Sequence, residues 1–300
     1  MTPEARAHLL GRVETLPVLP HVVARALQLD PAAETYFDDV VALIESEPNY
    51  AVRLVAAANS VVARGVTPIT RIRDAVVRLG AREVCSLVVS LSVVRVFVPR
   101  ADWEKGLWLH ALEAGHVARA LARHHGSGLD GERAFLSGLL HDVGRFIMFD
   151  AAPESLKEVD EASWVTPASL LEAERAICGV DHAALGAEVA ARWGLPTELV
   201  EFLRHHHSPE VEGVLPGVDG RVARLVQVAD ASAFSAVSTR HQLVQFRALR
   251  GPDAEVFLRN KLPSWFSKTP GAAQAIMEAL TRADTLARTL GLAPLGHGTK

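Results

Sequence analysis

The sequence predicts an all-α protein, on two observations. Apolar residues recur at spacings of three to four rather than two along almost every segment. The interruptions in that pattern carry helix starts and stops, such as Pro20, Pro48, Asn59-Ser60, Gly80 and Gly126. Valine is frequent and favours strands locally, but the spacing overrides that preference.

The elements follow in order. "PEARAHLLGRV" leads into "LPVLPHVVARALQL", where Pro20 suits a first helical turn. "TYFDDVVALIESEPNYAVRLVAAANS" reads as two helices joined near Glu47-Pro48, the second ending around Asn59-Ser60. "RIRDAVVRLGAREVCSLVVSLSVVRVF" gives a shorter helix, a break at Leu79-Gly80 and a long apolar helix. Further helices are expected over 103–125, 131–149, 167–178, 182–193, 197–206, 221–235 and 272–290. A soft boundary falls at "VPRADWEKG", where proline and charges interrupt the apolar pattern. The expected organisation is an N-terminal helical region over 1–100, a histidine-rich core over 101–240 and a C-terminal extension over 241–300.

Composition narrows the function classes. The chain has 300 residues, 49% apolar and 22% charged, which suits a globular protein with a sizeable core. A formal charge of −4 supplies no global attraction to nucleic acid or anionic lipid. The two cysteines, Cys85 and Cys178, lie alone in apolar surroundings and read as reduced, buried thiols. The N-terminus lacks the apolar core of a signal peptide, and "VCSLVVSLSVVRVFV" is short for a membrane span and contains Arg95. No membrane partner and a cytoplasmic location are expected. "RDAVVRLGAREVCSLVVSLS" has the helix–turn–helix spacing of DNA-binding modules, but a recognition helix needs polar, donor-rich residues on its exposed face. This one offers Val, Leu, Ser and Cys nearly all round, so nucleic acid is not an expected partner.

Helical periodicity sorts the histidines into those facing inward and those facing water. His110 lies on the stripe of Leu107, Ala111, Ala114, Ala118 and Leu121, whereas His116 aligns with Glu113, Arg119 and Arg123 and is expected to be solvated. His124 and His125 suit a helix C-terminus. His182 shares a face with Gly186, Val189 and Trp193, with Asp181 as N-cap and Glu188 and Arg192 as an exposed pair. His206 follows Leu199, Phe202 and Leu203, while His205 follows Glu198 and Glu201 and faces water. His207 stands at the helix end, and Asp230 extends the Ala223, Val226 and Gln227 face toward Phe234.

The inward set is therefore His110, His141, Asp142, His182, His206 and Asp230, with His207 able to turn either way. A single inward histidine is usually just hydrogen-bonded. Two carboxylates and several imidazoles buried together need something to neutralise them. Imidazole nitrogen and carboxylate oxygen are ligands for zinc, iron or manganese. The doublet His141-Asp142 lies in an apolar run, flanked by Gly138 and Gly144, which ease close backbone approach. An aspartate beside a histidine can bridge two ions or face a second helix. The alternative is a metal-free polar core in which Asp142 and Asp230 pair with Arg145 and the imidazoles.

Several stretches together resemble HDOD domains, the HD-related output domains of bacterial signalling proteins. They are "LPVLPHVVARALQL", "IESEPNYAVRLVAAANS", "DAVVRLGAREVCSLVVSLSVV", "LWLHALEAGHVARALA", "AFLSGLLHDVGRFIM", "GVDHAALGAEVAARWGLPTELVEFLRHHHSP" and "LVQVADASA". The resemblance spans about residues 15–240 and implies an N-terminal helical subdomain packed on a helical core related to HD phosphohydrolases. HDOD proteins mostly act as regulatory or protein-interaction modules, many without the metal ligands of their catalytic relatives. Here His110 matches the first histidine of the HD and HD-GYP ligand pattern, and His141-Asp142 the name-giving doublet. His182 matches the later histidine, His206 and His207 the paired histidines, and Asp230 the final aspartate. The resemblance thus implies one or two divalent ions, Fe, Mn or Zn, on the inward set.

Other positions depart from the pattern. "SPEVEGVLPG" stands where HD-GYP proteins carry their GYP loop, and Gly106 replaces an extra carboxylate ligand used by some relatives. Arg145 stands for the lysine after the doublet and could fork onto a phosphate. Two functions are compatible with these features. One is a regulatory HDOD protein acting through a signalling protein partner with a retained metal site. The other is a metal-dependent phosphohydrolase or phosphodiesterase acting on a nucleotide or phosphate ester, with Asp142 and Arg145 catalytic.

Overall fold

The computed structural model describes residues 3–15, 21–60, 68–99, 101–124, 128–162, 164, 166–233 and 271–292. Every regular element among them is a helix. Pro20, His125, Phe234 and the 241–270 part of the expected extension lie outside the described residues. The chain forms two compact units. One gathers residues 1–16, 99–284 and 292–300, the other residues 17–98 and 285–291. The first helix thus groups with the histidine-rich part of the chain, not with the N-terminal helices that follow it.

The smaller unit holds α2 (His21–Gln28), α3 (Tyr36–Glu45), α4 (Pro48–Ser60), α5 (Ile72–Leu79) and α6 (Ala81–Val96). Gly80 separates the last two with φ +91°, a conformation a side chain would resist. Asn59 ties the end of α4 to Ile69, donating to its carbonyl and accepting from its amide at 2.9 and 2.8 Å. The helix α6 is the second half of the helix–turn–helix pattern, and it is a core element. Val84, Val88, Val89, Leu91 and Val93 are buried, and its serines turn inward onto its own carbonyls. Ser92 also meets the Tyr50 hydroxyl at 2.7 Å.

The larger unit opens with α1 (Pro3–Thr15) and continues through α7 (Asp102–His124), α8 (Gly131–Leu140), α9 (Val143–Ala151), α10 (Pro153–Glu161) and α11 (Pro167–Ile177). It then runs through α12 (His182–Arg192), α13 (Thr197–His205), α14 (Val211–Val214) and α15 (Val218–Ser232). The C-terminal helix α16 (Ala272–Thr289) contributes its residues to Asp284 to this unit and the rest to the smaller one. Local chemistry fixes several starts. Asp130 caps α8, Asp181 caps α12, and Thr166 with Ser169 makes a capping box on α11 just before Pro167.

α1 lies along α9, with Leu9 and Val13 buried and Arg12 paired to Asp150 at 2.7 Å. Arg192 of α12 donates to the Glu14 carbonyl, so no Glu188–Arg192 pair is seen. At the centre, Trp108 of α7 stacks on Phe146 of α9 with ring centroids 4.2 Å apart, and both are fully buried. Two glycines set how closely the helices approach. A Cβ on Gly138 would lie 2.7 Å from the Ala114 carbonyl oxygen, and one on Gly144 would lie 2.0 Å from that of His182. These approaches bring α7 against α8, and α9 against α12, at the level of the doublet.

Two expectations are corrected. The helix predicted over 131–149 is broken: α8 ends at Leu140 and α9 begins at Val143. His141 and Asp142 form the joint, with Asp142 at φ −98°, ψ 18°. Its side chain makes no cap hydrogen bond and is left to the site. His116 is the second correction. It is buried, as are Glu113 and Arg119 on the same face. α8 covers that face, with Phe135 edge-on to His116 at 5.1 Å and stacked under the Arg119 guanidinium, which pairs with Glu132 at 2.7 Å.

Candidate metal centre

The inward residues converge from separate elements. His110 comes from α7, His141 and Asp142 from the α8–α9 joint, and His182 from the first turn of α12. His206 and His207 follow α13, and Asp230 lies in the last turn of α15. They form two groups, each with its ligand atoms within 4.8 Å of one another: His110, His141 and Asp230, and Asp142, His182, His206 and His207. Five of these side chains are buried, whereas His207 and Asp230 are partly open.

In the first group His110 Nε2 lies 3.2 Å from His141 Nε2 and 3.1 Å from Asp230 Oδ1. In the second, His182 Nε2 lies 3.3 Å from His206 Nε2 and 3.0 Å from His207 Nε2. Asp142 joins them. Its Oδ2 faces His110 and His141 at 3.6 and 3.5 Å, and its Oδ1 faces His182 at 3.2 Å.

The opposite side of the rings decides what these nitrogens can do. His110 Nδ1 donates to the Ala233 carbonyl, His141 Nδ1 to Gly138 and His206 Nδ1 to Leu203, each at 2.7 Å. A carbonyl can only accept, so each Nδ1 carries the proton and Nε2 is the nitrogen turned to the centre, where it can hold a second proton or a metal ion. His182 Nδ1 likewise donates to Glu174 Oε2 at 2.6 Å. Two Nε2 atoms facing each other at about 3 Å need a shared proton or a metal cation beside them. That arrangement fits the chemistry of a divalent-metal donor set with its outer hydrogen bonds in place.

The electrostatics agree. Burial opposes ionisation of Asp142, but the charges of His141, His182 and His110 hold its carboxyl well below the usual range. Burial likewise opposes Asp230, and hydrogen bonds from His110 and His141 hold it low. Burial and the neighbouring imidazoles push His206 well down and His207 down to about 4. The carboxylates are therefore ionised and these two rings neutral, the forms that ligate metals. At His110 burial works against the charge, but Asp230 and then Asp142 outweigh it and draw the ring up to about 9. A proton on this ring is therefore favoured, and a metal ion at Nε2 would have to displace it.

Arg145 is placed otherwise than the sequence suggests. It is buried, with Nη2 bonded to Asp160 and Nη1 3.3 Å from Glu174 Oε1. Two internal carboxylates engage its guanidinium, so it is not free to fork onto a phosphate. Glu174 is the functional residue that sequence reasoning missed. Its only advance sign is a glutamate on the helix just before "GVDH", spaced so that the turn folds it back onto His182.

An all-helical core gathering an HD-type His/Asp centre defines an HD-like protein. The chain belongs to the HDOD domain family, whose profile matches residues 16–209. Over 209 residues it is 29% identical to an uncharacterized protein of Treponema pallidum (strain Nichols), a stretch covering 69% of this chain and 40% of that one. It is 28% identical over 137 residues to a ribonuclease Y of Deinococcus radiodurans, covering 46% of this chain and 18% of the enzyme. The chain thus spans less than half the length of either relative. Its fold is similar to that of a provisionally assigned phosphohydrolase from Shewanella amazonensis SB2B, with a TM-score of 0.70 and 22% identity over 95% of this chain and 98% of that one.

Proposed function

We propose that this HDOD protein is a signal-transduction module that acts on a protein partner and whose core holds one or two divalent ions, Fe, Mn or Zn. The observation that carries the metal assignment is Asp142, turned at a helix joint so that each oxygen faces a different group of inward-pointing Nε2 atoms. The regulatory assignment rests on family membership and on the helical unit 17–98, which the family profile includes. Among the described residues, no helix is long and apolar enough to cross a membrane.

A second reading is a metal-dependent phosphohydrolase or phosphodiesterase acting on a nucleotide or other phosphate ester. The completeness of the ligand set favours it, together with the likeness to the Shewanella protein and to ribonuclease Y. A bound divalent ion supplies charge that activates water and polarises a phosphate. In that reading Asp142 positions the chemistry, the open edge at Asp230 and His207 admits substrate, and Arg145 acts only from behind the ligands.

Elemental analysis of protein purified without chelators tests the metal centre. One to two ions per chain are expected, and less than about 0.1 would overturn it. Affinity capture with the intact chain, beside turnover assays on generic phosphodiesters and nucleotides with added Mn²⁺ or Fe²⁺, separates the two readings. A stable protein partner without turnover supports the first. Robust turnover lost in Asp142→Ala, with no partner, supports the second.

A further inference from the structure

We propose that Glu174, anchored by Arg145, is the positioning residue of His182. It fixes that ring's tautomer and strengthens it as a metal ligand, so Arg145 serves the site's internal architecture rather than a substrate. This rests on the metal-centre reading above.

The argument begins with the acceptors behind the rings. His110, His141 and His206 each donate to a backbone carbonyl, a neutral acceptor. His182 instead donates to a carboxylate, and hydrogen bonds to ionised acceptors are the stronger kind. Glu174 is wholly buried, and its Oε2 takes two bonds from the same residue, 2.9 Å from the His182 backbone amide and 2.6 Å from Nδ1. A single oxygen therefore holds both the helix start and the ring, leaving the imidazole little freedom to turn. Nε2 of that ring is the most connected donor of its group, facing Asp142, His206 and His207.

The second oxygen of Glu174 faces Arg145, which also bonds Asp160 of α10. The triad thus sets a carboxyl oxygen directly behind Nδ1 of His182, where such an acceptor raises ligand basicity. Arg145 keeps Glu174 from being an uncompensated buried charge. Arg145 sits one helical turn after Asp142, so the same short helix positions a ligand at its start and the anchor of another ligand's support. Arginine suits this task because its planar fork reaches two carboxylates at once, which a lysine ammonium does not do in a fixed geometry.

The test compares wild type with Glu174→Ala and the near-isosteric Glu174→Gln, each in an Asp230→Ala background that disables the other ligand group. Zn²⁺ affinity is measured by competition with a chromophoric chelator. The His182 tautomer is read in chelator-treated protein by long-range ¹H–¹⁵N NMR. The expected result is a single Nδ1–H tautomer in the parent, a mixed or inverted one in Glu174→Ala, and a 10- to 100-fold loss of Zn²⁺ affinity in both variants. Glu174→Gln keeps the tautomer, because its amide oxygen still accepts from Nδ1, and so isolates the loss of the charge. Affinity within about twofold of the parent in both variants, or an unchanged tautomer in Glu174→Ala, would overturn the proposal. If Glu174→Ala does not fold, Glu174→Gln carries the affinity readout. If the parent and wild type bind no Zn²⁺ at all, the metal-centre reading fails, and the tautomer comparison alone decides whether Glu174 positions His182.

Discussion

Asp142 and His182 meet at 3.2 Å across the closest approach of two helices, Oδ1 to Nε2. The contact exists because Gly144 lets α9 come down onto the first turn of α12. The other oxygen of Asp142 is then free to face His110 and His141. Asp142 thus groups with His182, His206 and His207 through one oxygen and faces the other group through its second, whereas Asp230 groups with His110 and His141 alone.

Metal stoichiometry follows from this sharing. Asp142→Ala is expected to weaken binding at both groups and bring the metal content of the isolated protein close to zero. Asp230→Ala is expected to spare the group of Asp142, His182, His206 and His207. Elemental analysis with isothermal titration of the chelator-treated proteins checks it. Equal losses in the two variants would show that Asp142 is not the shared ligand.

The helix approach gives a stability prediction with an internal control. A methyl at position 144 would meet the His182 backbone oxygen, which cannot move without shifting α12. Gly144→Ala is therefore expected to cost at least about 1–3 kcal/mol, the usual range for overpacking, and to weaken metal binding through His182. Gly106 lies within α7, and a Cβ there meets nothing within 4 Å. Gly106→Ala should be neutral or stabilising by up to about 1 kcal/mol, the helix-propensity difference. Urea denaturation of the two variants reads both; comparable costs would mean that the 144 contact does not limit the packing.

The difference between these residues and His116 explains what the sequence could reveal. Periodicity reports which face of a helix is apolar, and His110, His141, His182 and His206 lie inward as it predicts. It does not report that a polar face is covered by a second element. α7 is enclosed on both sides, so Glu113, His116 and Arg119 are buried despite their polar pattern. The break at His141-Asp142 left no mark because neither glycine nor proline stands at the joint. Arg145 was legible as a cation beside the doublet, but its partners lie 15 and 29 residues downstream on helices whose packing no local pattern encodes. α10 was missed altogether, because "PESLKEVDE" is short and mostly charged.

The two thiols should respond differently to modification. Cys178 is buried at the end of α11, and burial, with the negative charge of Glu174 adding to it, pushes its thiol up to about 12. Cys85 is half-buried, with the Tyr36 hydroxyl 3.5 Å from its sulfur. Reaction needs thiolate and access, and Cys178 lacks both. Titration of native protein with a chromogenic disulfide at pH 8 should release about one equivalent, and unfolded protein two. Cys85→Ser should release almost none until it is unfolded. Rapid labelling of native Cys85→Ser would show that the α11 end opens.

His116 makes acid stability measurable at a position outside both ligand groups. Burial, then the charges of Arg119, Arg282 and Arg123, push its pKa from 6.5 down to about 3. Between those values the unfolded chain binds a proton at this ring and the folded chain does not. The stability held by the neutral ring is therefore complete above pH 6.5 and lost as pH falls toward 3, at up to about 1.4 kcal/mol per pH unit. Lowering the pH from 7.5 to 5.0 should remove about 2 kcal/mol through this group alone. His116→Gln, which does not titrate, removes that contribution while leaving those of the other histidines in place. Urea unfolding of both proteins at the two pH values isolates it. The wild type should lose about 2 kcal/mol more than the variant, and parallel losses would show that position 116 reaches solvent and protonates in the folded state.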